Sequence, residues 1–319
     1  MSYNFDPEFH ELLALLPPLD LSHRDKLDAA RATMNEMTAA LAADLDTSGV
    51  TWEDKPIPGP EGDPDVPIRI YRSEAATGVN AGLFYIHGGG FIVGDVESSH
   101  GQCVALCRGL GITVVSVDYR LAPETAFPGP LEDCYAALAW TSDNADSLNI
   151  DPARLGIMGV SAGGGLSAAT ALLARDRGGP ALCFQYLGIP ELDDRLDTVS
   201  MREFTDTPLW NRPNAFVSWD CYLGEQYQRG AEDVPGYAAP ARMEDLSGLP
   251  PAYVSTMEFD PLRDEGILYA LRLLQAGVRT ELHTFPGTFH GSSLFADVPV
   301  SQRENEELFA VLHRGLNVS

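Results

Sequence analysis

The sequence predicts an α/β fold, a mostly parallel sheet of eight strands flanked by helices. Strand-like apolar runs alternate along the chain with helix-length segments, the spacing of right-handed crossovers between parallel strands. Two of these runs break into small residues, at His87-Gly88-Gly89-Gly90 and at Gly159-Val160-Ser161-Ala162-Gly163, as strands do where they turn sharply into a loop or helix. A length of 319 residues with 45% hydrophobic content suits one large domain with a modest cap.

The strands are expected at 50–57, 67–72, 81–86, 112–119, 155–159, 181–188, 252–257 and 279–285. The first are joined without helices, so that edge of the sheet is expected to be antiparallel. Helical patterns near 98–110, 131–147, 161–177, 262–276 and 302–315 separate the later ones. Runs 81–86 and 155–159 lead into the two glycine motifs, and the small-residue run 163–174 reads as the helix after the second. Two stretches fall outside the alternation. Residues 5–45 read as a helical arm, with Phe9, Leu12, Leu13, Leu15 and Leu16 apolar, a break at Pro17-Pro18 and a second helix from about Arg24. Residues 191–251 form an aromatic-rich insertion that includes Phe204, Trp210, Phe216, Trp219 and Tyr222. Each aromatic singly reads as core covering. Arm and insertion together read as a helical cap over the C-terminal strand ends, where open α/β sheets bind ligands. The expected organisation is an arm over 1–48 contributing to the cap, an α/β domain over 49–319, and a cap insertion at about 191–230.

A formal net charge of −25 opposes binding to nucleic acid or to anionic membrane surfaces, because phosphate recognition needs the opposite sign. Neutral or cationic small molecules remain as partners. No apolar stretch approaches the roughly 20 residues of a membrane span, and residues 1–16 lack the basic start and apolar core of a signal peptide, so a cytoplasmic location is expected. Cys103, Cys107, Cys134, Cys183 and Cys221 form no CxxC pair and read as reduced thiols. Cys103 and Cys107 are four apart on an expected helix, but no adjacent His or Cys completes a tetrahedral set, so no metal is expected.

The glycine motifs carry the chemistry. A strand, tight turn and helix around Ser161 force the serine into strained backbone angles, which the small residues Gly159, Ala162, Gly163 and Gly164 allow. The hydroxyl is then presented at the top of a sheet with a helix N-terminus beneath it. Consecutive glycines at 88–90 let main-chain N–H groups approach a ligand, as an oxyanion hole requires. The serine motif alone also reads as an ordinary turn, and the glycine run 88–90 alone as a phosphate loop or a plain turn. Both together, each at the end of a strand, point to a nucleophilic serine.

Such a serine needs a base, and the base needs an orienting acid. Among the histidines, His10 and His23 lie in the arm, His100 and His313 start or sit in helices, and His283 lies within the last strand. His290, in the loop just after that strand, is the expected base. Asp260 stands after the strand at 252–257 and before Pro261, and is the expected acid, with Asp264 and Glu258 as alternatives. The competing role for Asp260 is that of a helix N-cap.

The runs His87-Gly88-Gly89-Gly90-Phe91, Asp118-Tyr119-Arg120-Leu121-Ala122-Pro123-Glu124, Ser161-Ala162-Gly163-Gly164 and Asp260-Pro261-Leu262-Arg263-Asp264-Glu265-Gly266 together resemble the bacterial hormone-sensitive-lipase-like carboxylesterases of the α/β-hydrolase superfamily. The resemblance runs from about Pro67 to the C-terminus. The stretches 189–196, 206–210 and 212–215 resemble, within that family, an actinobacterial acetylesterase. The resemblance implies the α/β-hydrolase fold, ester hydrolysis by Ser161, His290 and Asp260, and a homodimer. It also implies an oxyanion hole made by the N–H groups of Gly89, Gly90 and Ala162, with His87 and Gly88 shaping the loop. No cofactor is needed for this chemistry. One position departs: the family usually carries Asp or Thr before the nucleophile, and this chain has Val160. A short arm and an aromatic insertion suggest a closed acyl pocket lined by Phe91, Phe204, Leu209 and Trp210. Short acyl esters, acetyl to about hexanoyl, are the expected substrates. An amidase or peptidase would use the same triad, and a non-catalytic binder would use the same scaffold; His290 followed by Gly291 argues against the binder.

Overall fold

The computed structural model describes residues 3–14, 16, 21 and 23–318. Its first part contains α1 (His10–Leu13), α2 (Leu27–Ala43), β1 (Val50–Ile57), β2 (Val66–Ser73), β3 (Asn80–Ile86), α3 (His100–Leu110), β4 (Thr113–Val117) and α4 (Gly129–Asp143). There follow β5 (Ile150–Val160), α5 (Ala162–Asp176), β6 (Phe184–Gly188), α6 (Val199–Glu203), α7 (Arg212–Leu223), β7 (Ala252–Phe259), α8 (Arg263–Gln275), β8 (Thr280–Phe289) and α9 (Pro299–Gly315).

The eight strands form one sheet in the order β1-β2-β4-β3-β5-β6-β7-β8. The pairs β1 with β2 and β2 with β4 are antiparallel, and every other pair is parallel. The α/β architecture and the antiparallel edge are those the sequence predicts. Strands β3 and β4 are buried along nearly their whole length because helices cover both faces. The period of two decides which side chain meets which helix. Leu83 and Tyr85 pack with Leu106 of α3 and Leu312 of α9. Phe84 and Ile86 join Leu131 of α4 and Leu166 of α5.

β5 begins at Ile150, before its expected start, and β7 and β8 run past their expected ends, an extension that matters for the site. β7 continues to Phe259 and β8 to Phe289, because their pairing resumes after an irregularity, with Phe259 opposite Phe289. An irregularity of this kind re-aims the residues beyond it.

In the arm, Phe9 is buried against Phe289 and Phe295, with Leu12 and Leu13 beside the same cluster. Leu15 and the Pro17-Pro18 break lie outside the described residues. Arg31 on α2 reaches across the chain: its Nε donates to the Ile92 carbonyl at 2.9 Å, its Nη2 to the Ala122 carbonyl at 3.0 Å, and its Nη1 pairs with Glu124 at 2.7 Å. α2 is thereby pinned to the segment that follows the first glycine motif. The insertion carries α6 and α7, and Met201, Trp210, Trp219 and Tyr222 join the apolar cluster that includes α4 and α5. Among the described residues no helix is long and apolar enough to cross a membrane.

Arg31→Ala removes two hydrogen bonds and an ion pair that is partly screened by solvent. The loss should be about 1–2 kcal/mol in chemical denaturation, with faster limited proteolysis of residues 3–45. Unchanged stability together with an unchanged cleavage rate would show that the arm is held by its apolar contacts alone.

Candidate active site

Ser161 occupies the turn between β5 and α5 at φ 59° and ψ −125°, a conformation costing about 1–3 kcal/mol in a non-glycine residue. Main-chain bonds hold it there. Its N–H donates to the Gly188 carbonyl at 2.8 Å, and its carbonyl accepts from Gly165 at 3.0 Å and Glu191 at 3.1 Å. Close backbone approach explains the small neighbours. A Cβ at Gly163 would stand 2.2 Å from the Ile86 carbonyl oxygen and 2.5 Å from that of His87, so no side chain fits where α5 starts against β3. Val160, the position that departs from the resemblance, is half-buried and packs on apolar clusters.

The expected acid and base follow directly on the paired residues Phe259 and Phe289, so the register of β7 with β8 brings them together. His290 Nδ1 lies 2.8 Å from Asp260 Oδ2, and His290 Nε2 lies 3.0 Å from Ser161 Oγ. Asp260 is fully buried, and its second oxygen accepts the Leu262 N–H at 2.9 Å. The competing cap role is thus present in part: one oxygen braces the turn before α8 and the other faces His290. Helix α8 starts at Arg263, two residues later than an opening at Pro261 would put it. The alternative acids are engaged elsewhere. Asp264 accepts the Ser200 N–H at 2.7 Å and pairs with Arg263, and Glu258 accepts the Gly287 N–H at 2.6 Å.

The loop 87–90 is braced from several sides. His87 Nδ1 lies 2.8 Å from the Gly88 carbonyl oxygen, an acceptor, so Nδ1 carries the proton. That bond holds the peptide plane whose other end is the Gly89 N–H. The Gly89 carbonyl accepts from Ile92 at 3.1 Å and Val93 at 3.0 Å, which holds the plane ending in the Gly90 N–H. Gly89 itself has φ 119°, and a Cβ there would meet the Val93 carbonyl oxygen at 2.0 Å. A Cβ at Gly88 would stand 2.8 Å from the Val160 carbonyl oxygen, so this loop and the serine turn pack backbone to backbone. Among the described residues the N–H groups of Gly89, Gly90 and Ala162 donate to no backbone carbonyl.

Two further supports were given no role by the sequence, although Tyr119 and Arg120 stand in one of the runs that carry the resemblance. Tyr119 stacks on His87 with centroids 4.2 Å apart and donates its hydroxyl to the His87 carbonyl at 3.1 Å. Its neighbour Arg120 is bound to the buried carboxylate of Asp133 through both Nε, at 2.8 Å, and Nη2, at 2.7 Å. On α7, Ser218 Oγ lies 2.8 Å from the Gly90 carbonyl oxygen and 3.1 Å from Glu191 Oε1. Glu191 stands just past β6, a strand-end position that could have flagged it, whereas nothing local distinguishes Ser218 from other helical serines.

Of the four expected pocket residues the structure brings two to the triad. The Trp210 ring is 5.8 Å from that of His290, and its edge lies 2.5 Å from where a Gly90 Cβ would stand. Leu209 Cδ1 is 3.1 Å from where a Gly291 Cβ would stand. Phe91 and Phe204 are placed elsewhere. Phe91 turns at φ 61° into the core, stacked on Tyr222 at 4.1 Å, and Phe204 sits among Tyr3, Phe259 and the Arg263 guanidinium. Cys103, Cys107, Cys134 and Cys221 are buried free thiols and Cys183 is half-buried; burial pushes Cys107 up to about 12. Among the described residues no group of three or more His, Cys, Asp or Glu is placed to hold a metal ion.

Comparison with known proteins agrees with this geometry. A family described as the alpha/beta hydrolase fold matches residues 83–294. The carboxylesterase NlhH of Mycobacterium tuberculosis is 37% identical over 319 residues, covering 98% of this chain and 97% of its own. An arylacetamide deacetylase of Bos taurus is 32% identical over 312 residues, covering 79% of this chain and 78% of its own. Among solved structures, a bacterial heroin esterase superposes with a TM-score of 0.95 at 54% identity, covering 98% of each chain.

Burial lowers the pKa of His87 to about 4. The unfolded residue takes up its proton near 6.5 and the folded one only near 4, so this histidine costs stability progressively as pH falls through that window. Ring-nitrogen NMR should find His87 neutral and protonated at Nδ1 from about pH 8 down to about pH 5. Titration near the ordinary histidine value would contradict the bracing described for the loop.

Proposed function

The chain belongs to the hormone-sensitive-lipase-like branch of the α/β-hydrolase family and is a serine carboxylesterase; on that premise we propose that it hydrolyses short-chain acyl esters through Ser161, His290, Asp260 and an acyl-enzyme. The observation that carries this reading is the continuous chain from Asp260 through His290 to Ser161, at 2.8 Å and 3.0 Å, beside three N–H groups with no backbone acceptor among the described residues.

In the first step His290 Nε2 takes the Ser161 proton as Oγ attacks the ester carbonyl. Asp260 accepts the Nδ1–H bond, keeps the imidazole in the working tautomer and stabilises its cation. The N–H groups of Gly89, Gly90 and Ala162 receive the oxyanion, aided by the N-terminal end of α5. His290 returns the proton to the leaving alkoxide, which departs as the alcohol and leaves Ser161 acylated. Water then gives a proton to Nε2 and attacks the acyl carbon, and the serine oxygen recovers that proton as the acid leaves.

A short acyl group is favoured because Trp210 lies against Gly90 and beside His290, with Leu209 next to Gly291, so apolar bulk stands beside the triad. The likeness to an arylacetamide deacetylase favours a second reading, acetyl transfer from aryl amides by the same residues. Matched acetate esters and acetanilides of one aromatic leaving group discriminate the two.

Hydrolysis of p-nitrophenyl acetate, butyrate, octanoate and palmitate should be fastest on the short chains, and Ser161→Ala and His290→Ala should each lose at least about a thousandfold in kcat. Retention of turnover by either variant would overturn the triad. Trp210→Ala should raise the octanoate-to-acetate ratio of kcat/KM; an unchanged ratio would remove Trp210 from the acyl site.

A further inference from the structure

Ser218 has one hydroxyl proton and two oxygen neighbours. The Gly90 carbonyl, at 2.8 Å, can only accept, so the Ser218 proton belongs to it. Glu191 Oε1, at 3.1 Å, would face the Ser218 oxygen without a proton between them if the carboxyl were ionised. A protonated Glu191 removes the conflict, because its O–H donates to Ser218 while Ser218 donates to Gly90.

From this arrangement we infer that Glu191 is a positioning residue which, as a neutral acid, holds the Ser218 hydroxyl on the Gly90 carbonyl and so sets the oxyanion-binding loop. The inference deepens the esterase reading above and rests on it.

The surroundings of Glu191 favour the neutral form. The side chain is 0% exposed, and Oε2 has no partner among the described residues. The ionisable groups that face it are carboxyls and a phenol: Asp260 after β7, Glu265 on α8 and Tyr119 after β4. None is a cation. Burial first, and the Asp260 charge second, push the Glu191 carboxyl up to about 8; only a Ser218 proton turned away from Gly90 and onto the carboxylate would act the other way. Its own N–H meanwhile donates to the Ser161 carbonyl, so one residue touches both halves of the site.

The mechanical consequence centres on Gly90, at φ 56°. Its preceding peptide is held through the Gly89 carbonyl and its following peptide through its own carbonyl, so the direction of the Gly90 N–H is set from both sides. Ionised Glu191 would reclaim the Ser218 proton, release the following peptide and place a negative charge beside the developing oxyanion. Both effects act on the transition state, so they lower kcat with little change in KM. Activity is present while Glu191 is protonated and falls as pH rises through its pKa.

The test is the pH dependence of kcat and KM for the wild type, Glu191→Gln, Glu191→Ala and Ser218→Ala, with Ser161→Ala alongside. Wild-type kcat should decline above about pH 8. Glutamine keeps a donor for Ser218 and does not titrate, so it should recover most of the kcat that alanine loses and lack that decline. Glu191→Ala and Ser218→Ala should each lower kcat about tenfold or more, below the loss of a whole oxyanion donor, with KM within about twofold. The Glu191→Ala/Ser218→Ala double variant should be no worse than either single change. Ser218→Ala disturbs packing least and keeps the test decisive if Glu191→Ala fails to fold. A decline at the same pH in Glu191→Gln, or an unchanged kcat in Ser218→Ala, would overturn the role of Glu191 while leaving the triad standing. Hydrolysis that survives Ser161→Ala would overturn the triad reading and this inference with it.

Discussion

A serine held at φ 59° where β5 becomes α5 is the constraint on which the other parts of the site depend. The turn is unfavourable by itself, and it persists because three main-chain bonds and two close backbone contacts hold it. Those contacts reach β3, β6 and the loop 87–90. The strand order β3-β5-β6 thereby sets the position of Ser161, and the centre of the sheet acts as its clamp. The same order leaves β7 and β8 to deliver Asp260 and His290 from the side.

Around this clamp the structure relies on peptide planes whose carbonyl ends are held. The Gly88, Gly89 and Gly90 carbonyls each have a donor, from His87, from Ile92 and Val93, and from Ser218. Preorganised donors of this kind stabilise charge without reorienting at the moment of reaction. The arrangement works because the buried groups behind it are uncharged at neutral pH. Burial holds His87 neutral by lowering its pKa to about 4, and holds Glu191 neutral by raising its pKa to about 8. The formal charge of −25 over the whole chain thus coexists with a site in which Asp260 is a buried carboxyl hydrogen-bonded to His290.

Much of the fold and the centre of the site could be read from residue types. Gly163 and Gly89 were legible because backbone approach as close as theirs excludes any side chain, and glycine is the residue that allows it. Asp260 and His290 were legible because each follows a strand. What escaped was decided by tertiary packing. The last strand continues through Pro286 and Gly287 because β7 is there to pair with it beyond an irregularity. Phe91 and Phe204 have the chemistry of pocket residues, but a positive φ turns one into the core and an aromatic cluster captures the other. Ser218 lies on an ordinary stretch of α7, and its importance comes from a carbonyl 128 positions earlier in the chain.

The central claim is that Ser161 becomes acylated and that His290 and Asp260 make this happen. It is tested most directly by rapid quench of the protein with a short-chain aryl acetate, followed by intact-mass measurement and peptide mapping. A burst of leaving group is expected, matched by one acetyl group per chain, located on Ser161, absent in Ser161→Ala and strongly slowed in His290→Ala. Turnover without an acetylated Ser161 peptide in the burst, or an acetyl group that maps to another residue and persists in Ser161→Ala, would contradict it.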